Sequence, residues 1–181
     1  MAFEYPQETT PIEDTMTDET THEVHVHLTR EHPPIRKAVL EMTGTEVTFG
    51  TPGWQGDHYG FEPGTVPVHP GTLDYLVASV GGCLIGTFGG ALKARKIDST
   101  GDRLTADAVG DVVVDPDGVL RLRAIAVRYT LRAPEDAREA AERAHTHHAA
   151  HCPNARSVAA AIDITTELDF VAERETAPTG A

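Results

Sequence analysis

The sequence has few lysines: three of its fifteen basic residues, the other twelve being arginine. Against twenty-eight acids this leaves a formal net charge of -13. Such a surface repels phosphate backbones and anionic lipid heads, which argues against nucleic acid and membrane as partners. Acid-rich, lysine-poor composition also fits a halophilic protein, because molar salt screens charge repulsion while carboxylates hold hydration. An ordinary acidic mesophilic protein is the plainer alternative. The first twenty residues, MAFEYPQETTPIEDTMTDET, contain no Lys or Arg. They match neither a secretory leader nor a transit peptide, and a cytoplasmic protein is expected. Cysteine is scarce too, with only Cys83 and Cys152. In a reducing compartment such a pair points to catalysis or metal binding rather than a structural staple, with two unrelated buried thiols as the alternative.

What is present suffices for one domain: 181 residues, 40% of them apolar. Residues 1–21 are acidic and rich in Thr and Pro, and read as a flexible tail, as do residues 174–181. The ordered domain spans 22–173. HEVHVHLTRE alternates apolar and polar residues, and KAVLEMTGTEVTFGTPG holds two more short strands around a Thr-Gly-Thr turn, together an antiparallel meander. TPGWQGDHYGFEPGTVPVHPG, dense in Gly and Pro, reads as loop.

From Thr72, a possible N-cap, the run TLDYLVASVGGCLIGTFGGALKARK predicts a central helix with basic residues at its end. Tyr75 to Leu92 is eighteen residues without a charge, the lower limit of a membrane span. The acidic character of the rest favours a buried helix, whose five glycines allow another backbone to approach. The Asp-Pro-Asp-Gly between RLTADAVGDVVV and VLRLRAIAVRYTLRAP marks a hairpin with Arg121 and Arg123 on its solvent face. PEDAREAAERAHTHHAAH is a helix that Pro153 ends just past Cys152. A helical turn in ARSVAAA and a last strand in AIDITTELDF complete an α+β domain of antiparallel strands around a long buried central helix.

Cys83 lies about three turns inside that helix, too far from its positive terminus to be activated by it. An ordinary thiol is only about 3% thiolate at neutral pH, so a reactive Cys83 requires a buried cation beside the sulfur. Thiolate attack on an O–O bond, followed by capture of the sulfenic acid by a second thiol, fits two cysteines. Cys152 sits at a broken helix end, where the backbone can shift to bring sulfur to sulfur.

LDYLVASVGGCL, followed 69 residues after its Cys by CPNARSV, with a β-rich N-terminal part and a hairpin between, resembles the OsmC/Ohr family over residues 22–172. The resemblance implies an intertwined homodimer with central helices at its core and active sites at the interface. It implies reduction of organic hydroperoxides or hydrogen peroxide, with Cys83 peroxidatic, Cys152 resolving, a dithiol reductant, and neither metal nor flavin. An Arg from the N-terminal strands neighbours the thiolate in the family; Arg36 is the better candidate and Arg30 the second. A Glu ten residues before the first Cys holds that Arg in the family. This chain has Leu73 there and Asp74 one position later, which serves either that role or as a first-turn acid complementing the helix dipole.

Two other readings remain open. His147/His151 and His148/Cys152 have i, i+4 spacing suited to a metal site, although the helix dipole also explains a final turn containing His145, His147, His148 and His151. A nonenzymatic binding protein on the same fold would hold an acyl or other apolar ligand between the central helices and Trp54, Tyr59 and Phe61.

Overall fold

The computed structural model describes residues 22–62, 64, 65 and 68–173. The two expected tails, 1–21 and 174–181, lie outside the described residues. The alternating N-terminal segments form the expected meander of β1 (Val26–Arg30), β2 (Arg36–Leu40) and β3 (Thr45–Phe49), paired antiparallel in the order β1-β2-β3. Gly44 makes the turn between β2 and β3 at φ 67, a conformation that a Cβ disfavours. The segment expected to be loop contains a short helix, α1 (Gly53–His58). The sheet touches the rest of its chain mainly at β3, where the Phe49 ring meets Tyr75 edge-on at 5.0 Å and Tyr75 donates a hydrogen bond to the Thr48 carbonyl at 3.2 Å. β1 is exposed along its whole length.

Helix α2 (Thr72–Lys93) is the central helix. Its N-cap is Gly71 rather than Thr72, because the Asp74 carboxylate reaches back to accept the Gly71 N–H at 2.6 Å. Its length and apolarity would suit a membrane span, yet Val80, Leu84, Phe88 and Leu92 are buried in the protein core. Their i, i+4 spacing makes one continuous stripe. The helix is not buried all round: Ser79, Gly82, Gly86 and Gly90 on another face are exposed, since one sheet covers only one side.

That sheet consists of β4 (Leu104–Val114), β5 (Leu120–Pro134) and β6 (Asp163–Glu173). Asp115 closes the β4–β5 hairpin by accepting the N–H groups of Asp117 and Val119 through one carboxylate oxygen. The ladder shifts between Asp111 and Val112, leaving Arg123 as the additional residue on β5. This bulge moves the inward face of β5 from Leu122 to the odd positions Ile125, Val127, Tyr129, Leu131 and Ala133. Arg121 and Arg123 are exposed, as expected, and Arg123 pairs with Asp111 across the hairpin.

β6 departs from the all-antiparallel expectation and runs parallel to β5. The chain between them carries α3 (Arg138–His148) and α4 (Pro153–Val158), a crossover that brings β6 back in the direction of β5. Both helices pack on α2 beside the sheet.

Between α2, α3 and β5 lies a buried ring cluster of Phe88, Tyr129, His145 and His148. His148 Nδ1 is 2.6 Å from the His145 carbonyl, an oxygen that only accepts, so this nitrogen carries the hydrogen. The Nε2 of the neutral ring then accepts from the Tyr129 hydroxyl at 2.9 Å. Burial lowers the pKa of both histidines, partly opposed in His148 by the His145 carbonyl. Burial also raises that of Tyr129, and the nearby Cys152 adds to the shift. An unfolded histidine gains its proton near pH 6.5. Histidines held neutral by folding therefore contribute stability above that pH and lose it as pH falls through and below it. Urea unfolding should give constant stability from pH 8 to 7 and a decline between pH 6.5 and 5. Tyr129→Phe should cost about 1–3 kcal/mol at pH 7.5 by leaving His148 Nε2 without a donor.

Candidate active site

Cys83 is half-buried on α2, beside the apolar stripe that begins the core. Cys152 is fully buried and joins the last turn after α3 to the start of α4, as N-cap with extended backbone (φ -83, ψ 115). Pro153 occupies the first position of α4, where its missing N–H costs nothing. This geometry brings the two sequence-distant cysteines near one another: both thiols are free, and the Cys83 side chain lies close enough to raise the Cys152 pKa. The core supplies that approach through α2 on one side and the α3–α4 connection on the other.

Burial pushes the Cys152 thiol above its ordinary range. A hydrogen bond from the Ala155 N–H pulls it down, while the neighbouring Cys83 sulfur raises it again. The Thr87 hydroxyl, one turn beyond Cys83, donates to the Cys83 carbonyl at 2.9 Å, and its nearness lowers the Cys152 pKa slightly. The pair thus has one thiol at the protein's edge and one held protonated in its interior.

Arg36 is not brought to Cys83 within the chain. Its Nη2 donates to the Gly50 carbonyl at 3.2 Å, and it lines a cleft of about 500 Å³ with Arg30, Thr51, Gln55 and Leu73. Leu73 precedes Cys83 by ten residues, about 15 Å of helix. The reason is the position of the N-terminal sheet, which rests on the start of α2 rather than its middle. Asp74 likewise acts as the first-turn acid, capping Gly71, and makes no ion pair with Arg36 among the described residues.

The four histidines do not form the ligand set their spacing suggested. His145 and His148 turn into the ring cluster, His147 and His151 are exposed, and no group of three His, Cys, Asp or Glu is placed to hold a metal among the described residues. The aromatic loop does border clefts. Tyr59 and Phe61 line the arginine cleft, whereas Trp54 lines a second one of about 460 Å³ with Val77, Val109 and Leu122. Sequence reasoning missed Tyr129, Thr87 and Asn154. Tyr129 was reachable from β5 alternation, but Thr87 and Asn154 become meaningful only once α4 is placed on α2.

A two-layer α+β domain whose central helix carries one thiol beside a second, distant thiol defines a recognisable class. The OsmC-like protein family model matches residues 64–167, and the chain belongs to that family. Solved structures with the same fold include an OsmC-like protein from Mycoplasma pneumoniae, 15% identical with a TM-score of 0.65, covering 84% of this chain and 99% of that one. An OsmC-like protein of unknown function from Vibrio cholerae is 15% identical with a TM-score of 0.66, covering 82% and 100% of the two chains. The organic hydroperoxide resistance protein OhrB of Bacillus subtilis is 13% identical with a TM-score of 0.56, covering 82% and 98%. No curated protein matches the chain.

The capping geometry is testable apart from any chemistry. Asp74→Ala should lower stability in urea by about 1 kcal/mol through loss of the N-terminal cap of α2. An unchanged unfolding midpoint would mean that the Gly71 bond contributes nothing.

Proposed function

We propose that the protein is a thiol-dependent peroxidase that reduces organic hydroperoxides, or hydrogen peroxide, through a Cys83 sulfenic acid and a Cys83–Cys152 disulfide. The observation that carries this reading is the meeting of two free thiols, one half-buried and one buried, close enough for Cys83 to raise the Cys152 pKa. A Cys83 thiolate attacks the O–O bond, alkoxide leaves and takes a proton as the alcohol, and the sulfur retains the other oxygen as sulfenic acid. Cys152 then displaces that oxygen as water, forming the disulfide, and an external dithiol restores both thiols. The unequal environments support this division, because the thiol meeting peroxide must be accessible and the resolving thiol must wait. The hydroperoxide-resistance names of several structural relatives point the same way.

The reading includes a cytoplasmic homodimer. The exposed face of α2, with Ser79, Gly82, Gly86 and Gly90, and the weakly packed N-terminal sheet both suit burial against a second copy. In such an intertwined dimer Arg36, or Arg30, reaches the partner's thiolate and stabilises its charge. The two clefts, which share Gln55 and Leu73, favour a second reading in which the same fold holds an apolar or acyl ligand without turnover.

Mutants separate these readings. Cys83→Ser should abolish hydroperoxide consumption, whereas Cys152→Ser should complete one turnover and stop as a sulfenic acid that dimedone traps. Arg36→Ala should slow the first step without changing its stoichiometry, since arginine exchanges no electrons. Trapping at Cys152, or equal loss in both cysteine mutants, would reverse the assignment of roles. Unimpaired consumption in both would leave the binding protein as the better reading.

A further inference from the structure

We propose that Asn154 is the positioning residue for disulfide formation, a role that rests on the redox reading above. Its side-chain Nδ2 donates to the Ser79 carbonyl at 3.0 Å and contacts the Ser79 Oγ at 2.8 Å. Ser79 precedes Cys83 by four residues, so its carbonyl is the helical acceptor for the Cys83 N–H. Asn154 follows Cys152 by two. One carbonyl oxygen therefore ties the backbone of the first cysteine to the segment that carries the second.

α4 is seated on its apolar side by Ala155 and Val158, and the Asn154 amide adds a polar tie to α2. α4 itself is six residues long, too short to persist alone, and Ala155 is its one buried residue. Ser157 and Arg156 face outward. At the other end of the Cys152 segment, His148 is anchored to β5 through Tyr129. The segment is thus pinned to the sheet four residues before the sulfur and to α2 two residues after it. Without the second anchor, α4 keeps only its Ala155 and Val158 contacts, and a small rotation about Pro153 would carry the Cys152 sulfur with it.

Resolution depends on that placement. The Cys152 sulfur supplies the electron pair that forms the S–S bond, the S–O bond of the Cys83 sulfenic acid breaks, and the thiol proton leaves with the hydroxide as water. A disulfide accepts only a narrow range of Cα and Cβ separations, so small displacement of one backbone slows the step. Asn154 takes part in neither electron nor proton transfer.

The experiment separates the two chemical steps. Asn154→Ala removes both hydrogen bonds, and Asn154→Asp keeps the size while setting an acceptor against the Ser79 carbonyl. Ser79→Ala removes only the Oγ contact. With one equivalent of cumene hydroperoxide, oxidation of Cys83 should stay within about twofold of the parent in all three. Disulfide formation should slow about tenfold in both Asn154 variants and much less in Ser79→Ala, the scale expected for loss of a hydrogen bond. Dimedone labelling of Cys83 should rise in parallel. Parent-like resolution in a folded Asn154→Asp protein would overturn the assignment. If the parent consumes no hydroperoxide, the peroxidase reading fails on its own, and the position of Asn154 is tested instead by the Cys83–Cys152 disulfide equilibrium in glutathione buffers. There the Asn154 variants should favour the dithiol by about tenfold, and an unchanged equilibrium would refute the role.

Discussion

The close seating of α2 on β4 sets the positions of nearly everything else. A Cβ on Gly81 would lie 2.9 Å from the Ala108 Cβ, and one on Gly110 would lie 2.6 Å from Val77 Cγ2. These two glycines, one on each surface, let the helix axis approach the sheet until Leu84, Phe88 and Leu92 fill the space above β5. Full burial of such side chains contributes about 1.5–3 kcal/mol each, so the helix has little freedom to roll. Its orientation then decides which residues face α3 and α4. Cys83, Thr87 and Phe88 do so, and they meet Cys152, His145 and His148 there.

Much of this was legible in the sequence. Alternation revealed the meander, the Asp-Pro-Asp-Gly turn revealed the β4–β5 hairpin, and uncharged length revealed α2. Two thiols became informative through their flanking motifs together with the 69-residue spacing between them. Other features depended on partners that no local pattern discloses. The Gly71 cap was mistaken for Thr72 because only the structure shows Asp74 reaching back. Parallel β6 was hidden because a strand's direction is fixed by the crossover before it, not by its own residues. His148 and Cys152 share the spacing of metal ligands, yet one turns to Tyr129 and the other to Cys83.

The site also divides into parts of unequal legibility. The cysteines sit on elements fixed by the core, so their proximity follows from the fold. Arg36 sits on a sheet that leans on the rest of its chain mainly at β3, near the start of α2 and away from Cys83. A family pattern can suggest such an arginine, whereas no local pattern discloses its neighbours.

The crossover has a further consequence during synthesis. β5 is completed at Pro134 and β6 begins only at Asp163, so the sheet's third strand is the last described element to leave the ribosome. At about 5–20 residues per second, the 69 residues from Cys83 to Cys152 occupy roughly 3–14 s. Throughout that interval the nascent chain carries the Cys83 thiol without the segment that bears its partner, while β4 and β5 emerge to cover the apolar stripe of α2. A polypeptide built in this order holds a single thiol on its central helix until α3 and α4 emerge, a consequence of element order alone.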